Sequence, residues 1–75
     1  MSENIVMYST FSERLKELRM ERGLSTTQLG KHIDMCNSII SLWENEKRDP
    51  TLKSLLALTK YFEVTMDFLV GLTEY

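Results

Sequence analysis

Apolar side chains recur along the chain at spacings of three and four, in short runs fenced by capping and turn residues. The pattern predicts five short helices. The first is expected over about residues 11–22, with a capping-box pattern at Thr10 and Glu13, a shared face of Phe11, Leu15 and Leu18, and Gly23 to end it. The second opens on another capping box, Ser25 with Gln28, and Leu24 is placed to staple onto Leu29. Leu29 and Ile33 continue its stripe until Asp34, a residue type that tolerates a left-handed backbone, begins a turn. The third, over about residues 37–46, puts Ile40 and Trp43 on one face and displaces Ile39 and Leu42 toward solvent. After Pro50, Thr51 caps a fourth helix whose expected core face is Leu52, Leu55, Leu56, Thr59 and Phe62. Thr65 caps a fifth, in which Val64 staples onto Leu69, Phe68 and Leu72 extend the stripe, and Gly71 is the expected end. Residues 5–8 are apolar without a helical pattern, and a disordered tail, an arm on a partner and an added strand all fit them. Residues 1–10 are therefore read as an N-terminal arm and 11–75 as one all-α domain.

The second and third helices, joined by a few residues around Asp34 to Cys36, have the spacing of a helix-turn-helix. A turn that short makes the helices cross steeply. The third helix then projects and can enter a major groove, while amide groups at the two helix starts face phosphates. Seventy-five residues with one cysteine and one histidine exclude most other classes. There is no room for a deep cleft, no internal disulfide, no closed zinc site, and no Ser, His and Asp set in a nucleophile context. The expectation is a non-enzyme that needs no cofactor, metal or small-molecule substrate. No apolar run approaches the length of a membrane span and the N-terminus lacks a secretory pattern, so a cytoplasmic, nucleoid-associated setting follows. Charge complicates the picture, because 9 Lys and Arg against 11 Asp and Glu give −2. Affinity for phosphates must then come from local placement, and non-specific binding should be weak and fall quickly with salt.

Over residues 11–72 the chain resembles the lambda-repressor and Cro-like helix-turn-helix regulators of the xenobiotic-response-element class. The resemblance is carried by RLKELRMERGLS at 14–25, the Leu29, Ile33, Ile40 register, Ser41-Leu42-Trp43-Glu44, Lys47-Arg48-Asp49-Pro50 and Thr65-Met66-Asp67-Phe68-Leu69-Val70-Gly71. It implies a five-helix DNA-binding domain in which Asn37, Ser38 and Leu42, with Ile39 nearby, read base edges. Asn pairs bidentately with adenine, Ser bonds either way, and Leu or Ile meets a thymine methyl. The resemblance places Thr26 and Thr27 at the start of the second helix, and Asn45, Lys47 and Arg48 after the third, against phosphate, where they set register rather than sequence. It also implies a structural ion pair between Arg19 and Glu44. The chain departs from the pattern at Thr26, Gly30, Asp34, Cys36 and Glu46, where the family usually has Gln, a small residue such as Ala, Gly, Ser or Thr, and Gly. The third helix thus lacks a good cap, and no Arg or Lys lies between Asn37 and Asn45.

The expected partner is double-stranded DNA, bound by a homodimer acting as a repressor, because one recognition helix reads only a few base pairs. Phe68, Leu69, Leu72 and Tyr75 on the terminal helix are the expected dimer interface, with residues 5–8 as the alternative. The acidic charge and the apolar pair Ile39 and Leu42 also fit a second reading, a helix-turn-helix modulator that binds another repressor protein instead of DNA.

Overall fold

A computed structural model describes residues 3–73, with side chains from Thr10 onward. Its elements are α1 (Glu3–Glu21), α2 (Thr26–Ile33), α3 (Asn37–Glu44), α4 (Leu52–Phe62) and α5 (Met66–Val70), and no strand occurs among the described residues. The starts follow the local chemistry of the chain. The hydroxyls of Ser25, Thr51 and Thr65 accept the N–H of Gln28, Ser54 and Phe68 at 3.1, 3.1 and 3.0 Å. The ends do too: Gly23 and Gly71 take φ of 68° and 90°, and Asp34 closes α2 at φ 62° with its N–H on the Gly30 carbonyl.

Two boundaries differ from the sequence expectation. The backbone is helical from Glu3, so Thr10 lies inside α1 and does not cap it. No Pro or Gly before Gly23 interrupts that stretch, and a capping-box pattern acts as a start only where the preceding residues leave the helix. Thr10 instead meets α5: a Cβ added to Gly71 would come within 2.5 Å of its methyl. Helix α3 ends at Glu44, two residues early, because Glu46 turns to φ 60°.

All five helices feed one core of Phe11, Leu15, Leu29, Ile40, Trp43, Leu58, Phe62 and Leu69. Phe11 meets Trp43 edge to face, with centroids 6.4 Å apart, and the buried Ser12 hydroxyl donates to the Trp43 carbonyl at 2.6 Å, which fixes α1 to α3. Helix α4 is turned from its expected orientation. Ser54, Leu58 and Phe62 are buried with Leu55 beside them, whereas Leu52 and Leu56 are 67% and 47% exposed. The segment LKSLLAL supports two stripes with equally good helical spacing. The one that also places Phe62 and the small Ser54 inward is the one that packs.

Helix α5 is corrected in the same way. Leu69, expected at a dimer interface, is wholly buried in the core of its own subunit. A side chain in that position cannot meet a second copy without unfolding α5. The Phe68 ring is covered by the Arg14 guanidinium at 4.2 Å, and Arg14 also donates to the carbonyls of Phe68 and Thr73, both at 2.8 Å. Of that expected surface Leu72 is exposed, and Tyr75 lies outside the described residues.

Candidate nucleic-acid interface

Helices α2 and α3 are each eight residues long and pack directly on one another. Leu29 and Ile40 are completely buried. Gly30 permits the close approach: a Cβ there would collide with the Met35 carbonyl oxygen and lie 3.5 Å from the Ile40 side chain. Asp34 reverses the chain, Met35 N–H joins the Gly30 carbonyl at 2.8 Å, and α3 leaves at once.

The start of α2 is fully tied. Beside the Ser25 hydroxyl bond, the Gln28 side chain accepts the Ser25 N–H at 2.8 Å, which completes the capping box. The start of α3 is not. Cys36 is extended and its side chain makes no cap bond to the backbone. Its exposed thiol lies 3.6 Å from the Ser38 hydroxyl, and that hydrogen bond, helped by the Ile39 amide, holds it below the ordinary thiol range.

One face of α3 is anchored and the other is open. Ile40 and Trp43 are buried, and Ile39 packs half-buried against the core. Asn37 and Ser38 are exposed at the outer end, and Leu42 is half-exposed without joining the core cluster. Ser41, exposed one turn after Asn37, belongs to the same face; its spacing from Asn37 could have identified it in the sequence. The Asn45 amide donates to the Ser41 carbonyl at 2.8 Å and lies 3.4 Å from its hydroxyl, so Asn45 is drawn back along α3. Thr27, Lys47 and Arg48 are exposed, and Thr26 is half-buried.

Behind this face, Arg19 and Glu44 lock α1 to α3. Arg19 donates from Nε to Glu44 Oε2 at 2.7 Å and from Nη2 to Oε1 at 3.0 Å, and a third donor reaches the Leu24 carbonyl at 2.7 Å. The hydrogen bond to Glu44 raises the proton affinity of the guanidinium against the opposing effect of burial. Side-chain exposures of 14% and 7% keep the pair from water. Glu44 is thereby neutralised at the base of the recognition helix, where an unpaired carboxylate would repel phosphate. Around the motif the exposed Lys31, Lys47 and Arg48 stand against the exposed Asp34, Glu46 and Asp49, so the local balance is zero.

A helix-turn-helix whose second helix is anchored on one face and open on the other, braced from behind and followed by short helices, defines the class of this fold: a DNA-binding domain of the lambda-repressor and Cro-like kind. A helix-turn-helix family model matches residues 15–69, and the chain belongs to that family of transcription regulators, which are not enzymes. It is 37% identical over 61 residues to an HTH-type transcriptional activator, BcrR, of Enterococcus faecalis, a match covering 81% of this chain and 30% of that protein. It is 33% identical over 58 residues to Repressor protein C2 of Salmonella phage P22, covering 77% of this chain and 27% of that one. The solution structure of the DNA-binding domain of the P22 C2 repressor superposes with a TM-score of 0.76 at 28% identity, over 91% of this chain and 92% of that domain. The chain spans under a third of the length of those two full-length relatives. Among the described residues, no helix is long and apolar enough to cross a membrane.

Proposed function

We propose that the chain binds an operator in double-stranded DNA as a dimer, in the bacterial or phage-infected cytoplasm at the nucleoid, and represses transcription by occupying it. Helix α3 enters the major groove, with Asn37, Ser38 and Leu42 reading base edges and Ile39 supporting them from the edge of the core. Thr26, Thr27, Asn45, Lys47 and Arg48 meet phosphates. The observation that carries this reading is the two-sided character of α3, fully buried at Ile40 and fully open at Asn37 and Ser38. A helix in a folded domain that leaves its polar N-terminal end uncovered presents it to a partner.

The test is fluorescence anisotropy with the DNA upstream of the chain's own gene and a scrambled duplex, at low and near-physiological salt. Preference for the upstream DNA that survives salt, and that is lost in the Asn37→Ala, Ser38→Ala variant with an unchanged thermal melt, supports base readout by α3. Equal binding of both duplexes removes it. The second reading, a modulator that docks α3 on another repressor protein, rests on the absence of any basic side chain in the last turn of α3 and on the net charge of −2. Under that reading neither duplex binds.

A further inference from the structure

The expected dimer surface on α5 is largely consumed within the subunit, so the self-association required by the proposed operator binding must use another face. Helix α4 has one. With Ser54, Leu58 and Phe62 turned inward, its outward side carries Leu52 and Leu56, one turn apart, then Lys60 and Glu63 in the same line. Both leucines are substantially exposed although the core has taken every other leucine of α4 wholly or in part. The charges flanking them are self-complementary. Arg48 and Asp49, both exposed, precede the helix, and Lys60 and Glu63, also exposed, end it, so each end carries one charge of each sign.

We infer that a second copy of this chain covers this face, with the two α4 helices antiparallel about a twofold axis and Leu52 of each against Leu56 of the other. The pairing is reciprocal, as an isologous contact must be. In that register Lys60 and Glu63 of one copy come beside Asp49 and Arg48 of the other, which opposes unlike charges at both ends. The loop of residues 45–51 joins α4 directly to α3, so an axis through α4 sets the two recognition helices side by side on the same assembly. The contact is small. An eleven-residue helix is about 16 Å long, and two leucines with two lysine stems cannot bury the roughly 1,200 Å² of a stable dimer. The dimer therefore assembles on DNA, where binding the first copy raises the effective concentration of the second. This inference rests on the operator reading above.

The experiment uses duplexes selected from a random pool by the full chain, carrying two half-sites or one. Titration by gel shift is paired with sedimentation of the free protein. The expected result is a monomer at tens of micromolar that fills two half-sites cooperatively. In Leu56→Glu, and in the milder Leu56→Ser, the thermal melt and single half-site binding hold while two-site binding falls by about tenfold or more, the value of losing a buried leucine contact. In a Cys36→Ser background, cysteines at 52 and 56 together crosslink two copies on the duplex. Unchanged cooperativity in both Leu56 variants, or no crosslink on a doubly occupied duplex, overturns the α4 interface and leaves DNA reading intact. Selection of no duplex at all overturns both.

Discussion

The two helices of the motif have the same length and begin from the same extended backbone, yet they begin differently. At α2 the Ser25 hydroxyl and the Gln28 side chain exchange bonds with each other's backbone N–H groups. At α3 the corresponding residue is Cys36, which caps nothing. The first of these helices is held by its own sequence. The second is held from outside, by Ile40 and Trp43 in the core and by Glu44 on Arg19, and its first turn keeps its amide donors open. A recognition helix is the one place in such a domain where unsatisfied donors have a use, since a phosphate can take them. Stability and recognition are thus assigned to opposite ends of the same eight residues.

The comparison is broken hardest by removing the outside brace. Arg19→Ala leaves a shielded Glu44 carboxylate and the Leu24 carbonyl without their partner, and should cost about 3 kcal/mol of unfolding free energy in urea titration. A loss below about 1 kcal/mol, the value of an exposed pair, would show that α3 is held by its apolar face alone. Next comes the inside brace. Ser25→Ala should cost about 1 kcal/mol, whereas Cys36→Ala, which removes no cap, should change the same melt by a few tenths at most. Equal losses at the two positions would abolish the distinction between the helix starts.

A third change sharpens the contrast from the far end of α3. Glu46 holds φ 60°, where a Cβ is disfavoured, and adds a negative charge beside Lys47 and Arg48. Glu46→Gly should stabilise the fold by about 0.5–1 kcal/mol and strengthen DNA binding at low salt, with the gain shrinking as salt is raised. A gain in affinity that does not depend on salt would place Glu46 away from the phosphate track.

Most of the fold was legible because local signals and the apolar period agree. Ser25 with Gln28, Thr51, Thr65, Gly23, Asp34 and Gly71 each specify one boundary by a mechanism that needs no knowledge of the rest of the chain. What was not legible depends on neighbours. Thr10 resembles a cap until the residues before it continue the helix. The leucines of α4 permit two inward faces, and only the partners supplied by α1, α2 and α5 choose Leu58 over Leu52 and Leu56. Leu69 reads as spare surface on a terminal helix, yet it fills the core, because a chain of 75 residues has few large side chains with which to close it. At the candidate interface, residue types identified Asn37 and Ser38, but Ser41 and the retraction of Asn45 onto it required the geometry of the helix surface.

The smallest expected effect is chemical. Cys36 stands at the open start of α3, and its thiol is held below the ordinary range first by the Ser38 hydroxyl and then by the Ile39 amide. A lowered value means that thiolate, the reactive form, appears at lower pH in the folded chain than in the unfolded one. Alkylation by iodoacetamide, followed by mass spectrometry across pH, should therefore give a profile displaced to lower pH relative to the urea-unfolded chain. Ser38→Ala should move it part of the way back. Coincident profiles would mean that Ser38 does not face the thiol and that its hydroxyl is free to turn fully outward. The alkylated protein then tests the comparison directly. Because Cys36 caps nothing, adding a small neutral group should leave the thermal melt unchanged. If the open end of α3 is the end that enters the groove, the same group should still weaken binding to the selected duplex, an effect on recognition without an effect on stability.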